Sequence, residues 1–218
     1  QNLCYKSLEI RMRYYNLSEN IIACDNFLPS QKIDELYSDL LNNRQVFSPP
    51  SWSNETSTTT ELFSEKCGGL DFWLNNKTKQ DNNSFIESVH KWMMHQGFEY
   101  YVKDNGAQVY DFLKRKLEWD IHVISYNNGG YYNWHKDISM STLFTFNLIL
   151  NKGDTLKGGD LLFYDREIIE VENKNNFLVV FPSYIPHAIK PVYTEDKNDV
   201  PFLEQRFSIQ FWVRFKND

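Results

Sequence analysis

Hydrophobic residues recur with helical spacing in the first half of the chain. Over residues 30–41 they predict a helix with Ser30 as its N-cap and an apolar stripe of Ile33, Leu36, Tyr37, Leu40 and Leu41. Ser84 and Glu87 form a capping-box pattern, which predicts the start of a second helix. A third helix is predicted over residues 108–117.

After Trp119 the pattern changes to short strands separated by turn residues. Eight strands are predicted, over residues 120–126, 131–135, 143–150, 160–164, 168–172, 177–181, 188–193 and 207–215. Residues 127–130 and 157–159 supply the Gly and Asn that turns favour, because these residues tolerate positive φ angles.

Helices followed by a run of strands favour an α+β fold. We expect a double-stranded β-helix, also called a jelly roll and cupin-like, buttressed by N-terminal helices. We expect one domain over residues 1–218, with 1–118 as mainly helical support and loops and 119–218 as the jelly-roll core.

Composition and charge narrow the classes of partner. The formal net charge is −6 and the basic residues are scattered, which argues against nucleic acid or an anionic membrane as a partner. The three cysteines form no C-x-x-C pair and predict neither a disulfide framework nor a zinc knuckle. Without a visible signal peptide or an apolar run long enough to cross a bilayer, we expect a cytoplasmic protein. The oligomeric state is left open.

Candidate metal ligands come from two separate segments. His135 and Asp137 lie at positions i and i+2 of a predicted strand end, so their side chains point to the same face. His187 follows 50 positions after Asp137 and can return to the same pocket in a rolled sheet. Two imidazoles and one carboxylate suit an Fe(II) oxygenase site. The H-x-D pair alone also fits a hydrogen-bonded strand histidine beside a surface aspartate.

The last predicted strand has one apolar and one mainly polar face. Arg206 and Ser208 project together on the polar face. A guanidinium in this position can bind a carboxylate through two hydrogen bonds. The structural alternative for Arg206 is a surface ion pair.

Together these residues resemble the prolyl 4-hydroxylase branch of the 2-oxoglutarate/Fe(II)-dependent dioxygenases. The resemblance rests on a tyrosine before the H-x-D pair, glycines before a middle strand, a distal histidine and a following arginine, here Tyr126, Gly158, Gly159, His187 and Arg206. Residues 21–30 also resemble the strand and helix that open the family's catalytic domain.

The resemblance implies the cofactors and the residues that would bind them. It implies Fe(II) bound by His135, Asp137 and His187, with 2-oxoglutarate and O₂ as cosubstrates and ascorbate as a further candidate. It also implies that Arg206 binds the distal carboxylate of 2-oxoglutarate, with hydrogen bonds from Tyr126 and Ser208. For Tyr126, an ordinary buried aromatic residue is the alternative.

The implied reaction hydroxylates an unactivated C–H bond and releases succinate and CO₂. A prolyl residue in a peptide or protein is the first expectation for the substrate, and a free amino acid or small metabolite is the alternative. Nucleic-acid demethylases show two arginines six positions apart in the last strand, whereas Arg206 and Arg214 are eight apart. A non-catalytic jelly roll that binds a metal such as zinc or nickel is the alternative from another class.

One departure from the family pattern concerns spacing. His187 and Arg206 are 19 positions apart, about twice the family's usual gap, and residues 194–203 carry the excess. We interpret the excess as an inserted polar loop. Otherwise Lys190 or Arg214 would take the role of Arg206.

Other residues are weaker candidates. Tyr131, Tyr132 and Trp134 could line a substrate groove beside the iron or belong to the sheet core. His122 is expected to be structural. His90 and His95 lack the i, i+4 spacing of a helical zinc site. Residues 48–66 and 194–205 are polar segments that we expect to act as lids or specificity loops.

Overall fold

Strands are the predominant regular secondary structure in the described part of the chain. The computed structural model describes residues 12–48, 69–74, 89, 92, 93, 97, 100–104, 108–138, 142–195 and 197–216. Within these ranges the strands are β1 Arg13–Asn16, β2 Ile22–Asp25, β3 Gly69–Leu74, β4 Leu117–Tyr126, β5 Tyr132–His135, β6 Phe144–Leu150, β7 Lys157–Gly158, β8 Leu161–Asp165, β9 Glu167–Val171, β10 Phe177–Pro182, β11 His187–Ile189, β12 Val192–Tyr193 and β13 Arg206–Phe215.

Helices are few in the described ranges. The α-helix α1 covers Ser30–Asn42, and 3₁₀ helices cover Arg44–Val46, Gln108–Lys114 and Phe202–Glu204. A π-helical turn covers Tyr100–Asp104. Among the described ranges, no helix is long and apolar enough to span a lipid bilayer.

All strand pairs are antiparallel. The largest sheet has the order β1-β2-β10-β6-β13-β4-β3, a second sheet has the order β5-β11-β8-β9, and β12 pairs with β7. The two larger sheets face each other, because one buried cluster takes residues from both, including Ile124, Phe181, Phe163 and Ile189. The predicted double-stranded β-helix is therefore confirmed.

The seven-stranded sheet is covered on both faces. Its outer face packs against α1 and the other helical residues, and Tyr37 of α1 meets Phe207 of β13 edge to face. Its inner face lines the interior of the roll. Because side chains alternate along each strand, the polar residues of β13 at positions 206, 208 and 210 point into that interior. Both faces of β13 are buried from 206 to 213.

All eight predicted strands are present, with shifted ends. Residues 188–193 form two strands, because β11 pairs with β5 and β8 whereas β12 pairs with β7. The sequence pattern missed the short strands β1, β3 and β7. Strands β1 to β3 precede residue 117 and join the seven-stranded sheet, so the first half contributes more than helices and loops.

The predicted helices needed three corrections. Pro29, with φ −59° and ψ 150°, is the N-cap of α1, and Ser30 is its first residue. Because the ring of proline fixes φ, Pro29 is the last residue before the helix. The helix therefore begins one residue earlier than we predicted. Leu41 is exposed, because the buried face of α1 ends at Leu40. The segment predicted as helix over 108–117 is a 3₁₀ helix that ends at Lys114.

Some predictions fall outside the described residues. The capping box at Ser84, most of the 48–66 segment, His90 and His95 all lie there. The second predicted helix is seen at the residues described within it: Val89, Trp92, Met93 and Gly97 are helical.

Candidate metal centre and cosubstrate pocket

The candidate metal ligands meet where two strands pair. His135 is the last residue of β5 and His187 is the first residue of β11, and the two are register partners. Asp137 follows β5, and its amide donates to the carbonyl of Ser183 at 3.0 Å. One ligand atom from each of His135, Asp137 and His187 lies within 4.8 Å of the other two. Sheet pairing thus brings together two histidines that are 52 positions apart.

Both imidazoles are oriented by backbone carbonyls. Nδ1 of His135 lies 2.8 Å from the carbonyl oxygen of Asn133, and Nδ1 of His187 lies 3.0 Å from that of Ile185. A proton on each Nδ1 leaves a lone pair on each Nε2. Nε2 of His135 lies 3.5 Å from Oδ1 of Asp137, and Nε2 of His187 lies 3.4 Å from Oδ2. Both free nitrogens therefore face the carboxylate.

The surroundings set the charges of the two most buried ligands. Burial would raise the pKa of Asp137, but the charge of His187 and the hydrogen bond and charge of His135 lower this pKa to about 2. Burial and the charge of His135 lower the pKa of His187 to about 4, against the opposing effect of Asp137. Near neutral pH the aspartate is ionised and His187 is neutral, which are the states that bind a metal cation.

These residues fit a divalent metal ion. Nε2 of His187 is buried and has no hydrogen-bond partner within the described residues, and such an atom is costly unless something binds it. Two imidazole nitrogens and one carboxylate on one side of an octahedral ion leave three positions open, the arrangement of non-haem Fe(II) oxygenases.

A buried guanidinium lies deeper in the roll. Arg206 is 0% exposed, and its Nε donates to the carbonyl of Gly159 at 3.0 Å while Nη1 donates to Oγ of Ser208 at 2.8 Å. The guanidinium lies 5.1 Å from the ring centroid of Tyr126, the register partner of Arg206. Gly159 has φ +76°, and a Cβ at this position would lie 2.9 Å from Cδ of Arg206. Glycine is therefore needed where the arginine passes.

The two alternative cations from the sequence, Lys190 and Arg214, form ion pairs away from the pocket of Arg206. Lys190 is at the surface and forms ion pairs with Glu170 at 2.6 Å and Asp160 at 3.7 Å. Arg214, near the far end of β13, pairs with Glu118 and Asp120. Within the seven-stranded sheet, Arg206 is thus the arginine that points into the roll, despite the long gap after His187.

The segment 121–214 contains the candidate ligands and Arg206, and it matches the profile of the 2OG-Fe(II) oxygenase superfamily. The family resemblance predicted from sequence is confirmed. The match to this profile implies Fe(II), 2-oxoglutarate and O₂, and the group of His135, Asp137 and His187 could hold the iron.

Solved structures of oxygenases share the fold. A prolyl-4-hydroxylase from Pseudomonas putida is 18% identical with a TM-score of 0.59, over 91% of this chain and 94% of that chain. A prolyl hydroxylase from Trichoplax adhaerens, in complex with a hypoxia inducible factor peptide fragment, is 20% identical with a TM-score of 0.61. The match covers 90% of this chain and 84% of that chain. A 2OG-Fe(II) oxygenase family protein from Burkholderia pseudomallei is 11% identical with a TM-score of 0.57. The match covers 91% of this chain and 86% of that chain. At these identities the likeness establishes the fold alone. Among curated proteins, none matches the chain.

An aromatic groove lies beside His135, one of the candidate metal ligands. It has a volume of about 340 Å³ and is lined by residues of β5, β8 and β11 with their flanks, including Tyr131, Tyr132 and Trp134. The ring of Tyr132 stacks on His135 with centroids 3.8 Å apart. The three aromatic residues singled out from sequence therefore share one groove, which touches a candidate ligand through Tyr132.

The long segment before Arg206 is packed in place. Val200 and Phe202 are buried, and Phe202 meets Phe207 edge to face. The backbone amide of Val200 donates to Oδ1 of Asn127 at 2.9 Å, and Nδ2 of Asn128 donates to the carbonyl of Lys197 at 2.7 Å. The predicted polar insertion carries apolar anchors, and in this structure they hold it against the sheet rather than leaving it as a projecting lid.

Sequence reasoning missed the residues that support the ligands. Thr145 donates to Oδ2 of Asp137 at 2.7 Å and lies 3.3 Å from Oγ of Ser183. A signal was present, because the strand that contains Thr145 reads FTFNLIL, with polar residues at alternate positions of an apolar run. His122, expected to be structural, is buried with Nδ1 3.2 Å from Oε1 of Gln210.

Proposed function

We propose that this oxygenase hydroxylates an unactivated C–H bond, using Fe(II), 2-oxoglutarate and O₂ and releasing succinate and CO₂. The observation that carries the proposal is the pairing of two features in one roll interior: a cluster of His135, Asp137 and His187, and a fully buried Arg206. A metal-binding module alone would need the first feature, whereas a dicarboxylic cosubstrate also needs the second.

The metal ligands are assigned by charge and orientation. Asp137 contributes a carboxylate that is fixed by Thr145, and His135 and His187 contribute nitrogens whose rings are fixed by carbonyls. Bound Fe(II) would supply the redox chemistry that couples decarboxylation of 2-oxoglutarate to hydroxylation. The role of the chain is to hold the three ligands on one side and leave the opposite side for cosubstrate and O₂.

Arg206 is assigned to the distal carboxylate of 2-oxoglutarate. A guanidinium stays charged at all working pH values and matches a carboxylate through two parallel hydrogen bonds. Burial removes competing water and so strengthens this interaction. Ser208 already contacts Nη1, and Tyr126 lies beside the guanidinium, so both are placed to complete the carboxylate site.

A prolyl residue in a peptide or protein is the substrate we favour. The groove lined by Tyr131, Tyr132 and Trp134 supports this choice, because aromatic grooves bind proline-rich segments in the polyproline II conformation. Tyr132 stacks on His135, so a single side chain separates the groove from a candidate metal ligand.

Succinate formation tests the chemistry and the substrate together. With Fe(II), ascorbate and 2-oxoglutarate, proline-rich peptides should stimulate succinate release and free proline should not. Stimulation by free proline or another small metabolite instead would replace the peptide assignment and keep the chemistry. His135→Ala and Asp137→Ala should each abolish the stimulated reaction, and retained activity would refute the ligand assignment.

Anaerobic titration separates an enzyme site from a simple metal-binding module. Addition of both Fe(II) and 2-oxoglutarate should produce a weak visible charge-transfer band that neither produces alone. Tight binding of zinc or nickel with no response to 2-oxoglutarate would favour the non-catalytic module.

A further inference from the structure

A row of polar side chains crosses the inner face of the seven-stranded sheet. His122 of β4, Gln210 of β13 and Asn147 of β6 are successive register partners, and all three are buried. The side chain of Thr145 on β6 reaches Asp137 inside the roll. Asn147 is two residues further along the strand, so it faces the same interior.

Asn147 differs from the other members of the row. Both Oδ1 and Nδ2 of Asn147 are buried and have no hydrogen-bond partner within the described residues. Gln210 lies directly opposite, but its Oε1 is engaged with Nδ1 of His122 at 3.2 Å. Another fully packed asparagine, Asn176, accepts from the amide of Leu28 and donates to its carbonyl, each at 2.8 Å. A buried carboxamide with neither atom paired lowers the stability of the fold. We therefore expect a ligand to supply the missing hydrogen-bond partner.

The position of Asn147 indicates which ligand it serves. It lies one inward-facing position from Thr145, which supports Asp137, a spacing of about 6.6 Å along the strand. In the opposite direction, Ser208 and Arg206 continue the same inner face of β13. A molecule that spans from the metal ligands to Arg206 therefore has to pass Asn147.

We infer that Asn147 is a further binding residue for the 2-oxo acid, with Nδ2 donating a hydrogen bond to its metal-side carboxylate. This inference rests on the proposed function and deepens it. The carboxamide supplies a neutral donor between the candidate metal ligands and the guanidinium, so it adds affinity for an anion without adding a second buried charge.

A buried donor that serves only a ligand destabilises the free protein and strengthens ligand binding. Asn147→Leu separates these two effects. Leucine has a similar size and removes the unpaired polar atoms, so the metal-free protein should unfold at the same temperature as the wild type or at a higher one. With Mn(II) in place of Fe(II), under anaerobic conditions, the Kd for 2-oxoglutarate should rise on the order of 10- to 100-fold, as expected for a lost hydrogen bond to a charged group. Asn147→Ala provides a second variant that tests the same loss with a smaller side chain.

Asn176→Ala is the matched control, because it removes a buried asparagine whose carboxamide is fully paired. It should lower the unfolding temperature and leave the Kd for 2-oxoglutarate unchanged. Unchanged affinity in both Asn147 variants would overturn the inference while leaving the proposed function intact. Absence of 2-oxoglutarate binding by the metal-loaded wild type would overturn both.

Discussion

Replacement of Arg206 by methionine removes the guanidinium and keeps an unbranched side chain of similar length. In the structure the guanidinium is held by the carbonyl of Gly159 and the hydroxyl of Ser208, and it lies beside the ring of Tyr126. Methionine can fill the same apolar volume, but it can donate to neither the protein nor a ligand. The variant therefore tests whether this buried cation binds a dicarboxylic acid.

The expected loss follows from the burial of the site. Arg206 is 0% exposed, so a carboxylate that enters its pocket gives up most of its hydration. Removing one partner of a buried charge pair costs about 3–5 kcal/mol, because the remaining charge is left uncompensated. This corresponds to an increase of roughly 10²- to 5 × 10³-fold in the Kd for 2-oxoglutarate. Arg206→Lys keeps the charge but loses the paired geometry, so it should show a smaller loss, about tenfold.

Calorimetric titration of 2-oxoglutarate into the Mn(II)-loaded protein measures this effect. Arg214→Met is the control, since Arg214 lies on the same strand but pairs with Glu118 and Asp120 near the surface. It should bind 2-oxoglutarate as the wild type does. If Arg206→Met retained the wild-type affinity, the assignment of the distal carboxylate would be wrong. A selective loss in Arg214→Met would move the assignment to that residue.

Three further changes test the supports of the site. Thr145→Val removes the hydrogen bond to Asp137 and should weaken metal binding about 10- to 100-fold, measured by competition titration. Wild-type metal affinity in this variant would mean that Thr145 does not orient the carboxylate. Gly159→Ala places a Cβ 2.9 Å from Cδ of Arg206 and should weaken 2-oxoglutarate binding more than metal binding; an equal loss of both would indicate general damage to the fold. Acid should destabilise the metal-free protein. The pKa of His187 is lowered from 6.5 to about 4, chiefly by burial, so between pH 6.5 and 4 the unfolded chain binds the proton first. Stability in urea should fall by about 3 kcal/mol across this window, and His187→Asn should flatten that slope.

The sequence by itself predicted most of the strands and the side chains that could bind a metal. Alternation of apolar and polar residues is a local property, so it located all eight predicted strands and the apolar stripe of α1 with errors at the ends. Residue types fixed which side chains could bind a metal, because imidazoles and a carboxylate are suitable ligands wherever they meet. The strands β1, β3 and β7 were missed because their sequences, RYYN, GLDFWL and KG, show no clear alternation of apolar and polar residues.

Only the tertiary structure decided which residues share the interior. Pairing of β5 with β11 brings His187 to His135, and the register of β13 with β4 and β6 places Arg206 beside Tyr126 and Gln210 beside Asn147. The family resemblance favoured Arg206, but the long gap after His187 left Lys190 and Arg214 as alternatives, since all three are cations in or near predicted strands. The choice depends on which part of which strand is enclosed, and that follows from contacts between residues distant in sequence, which no local pattern encodes.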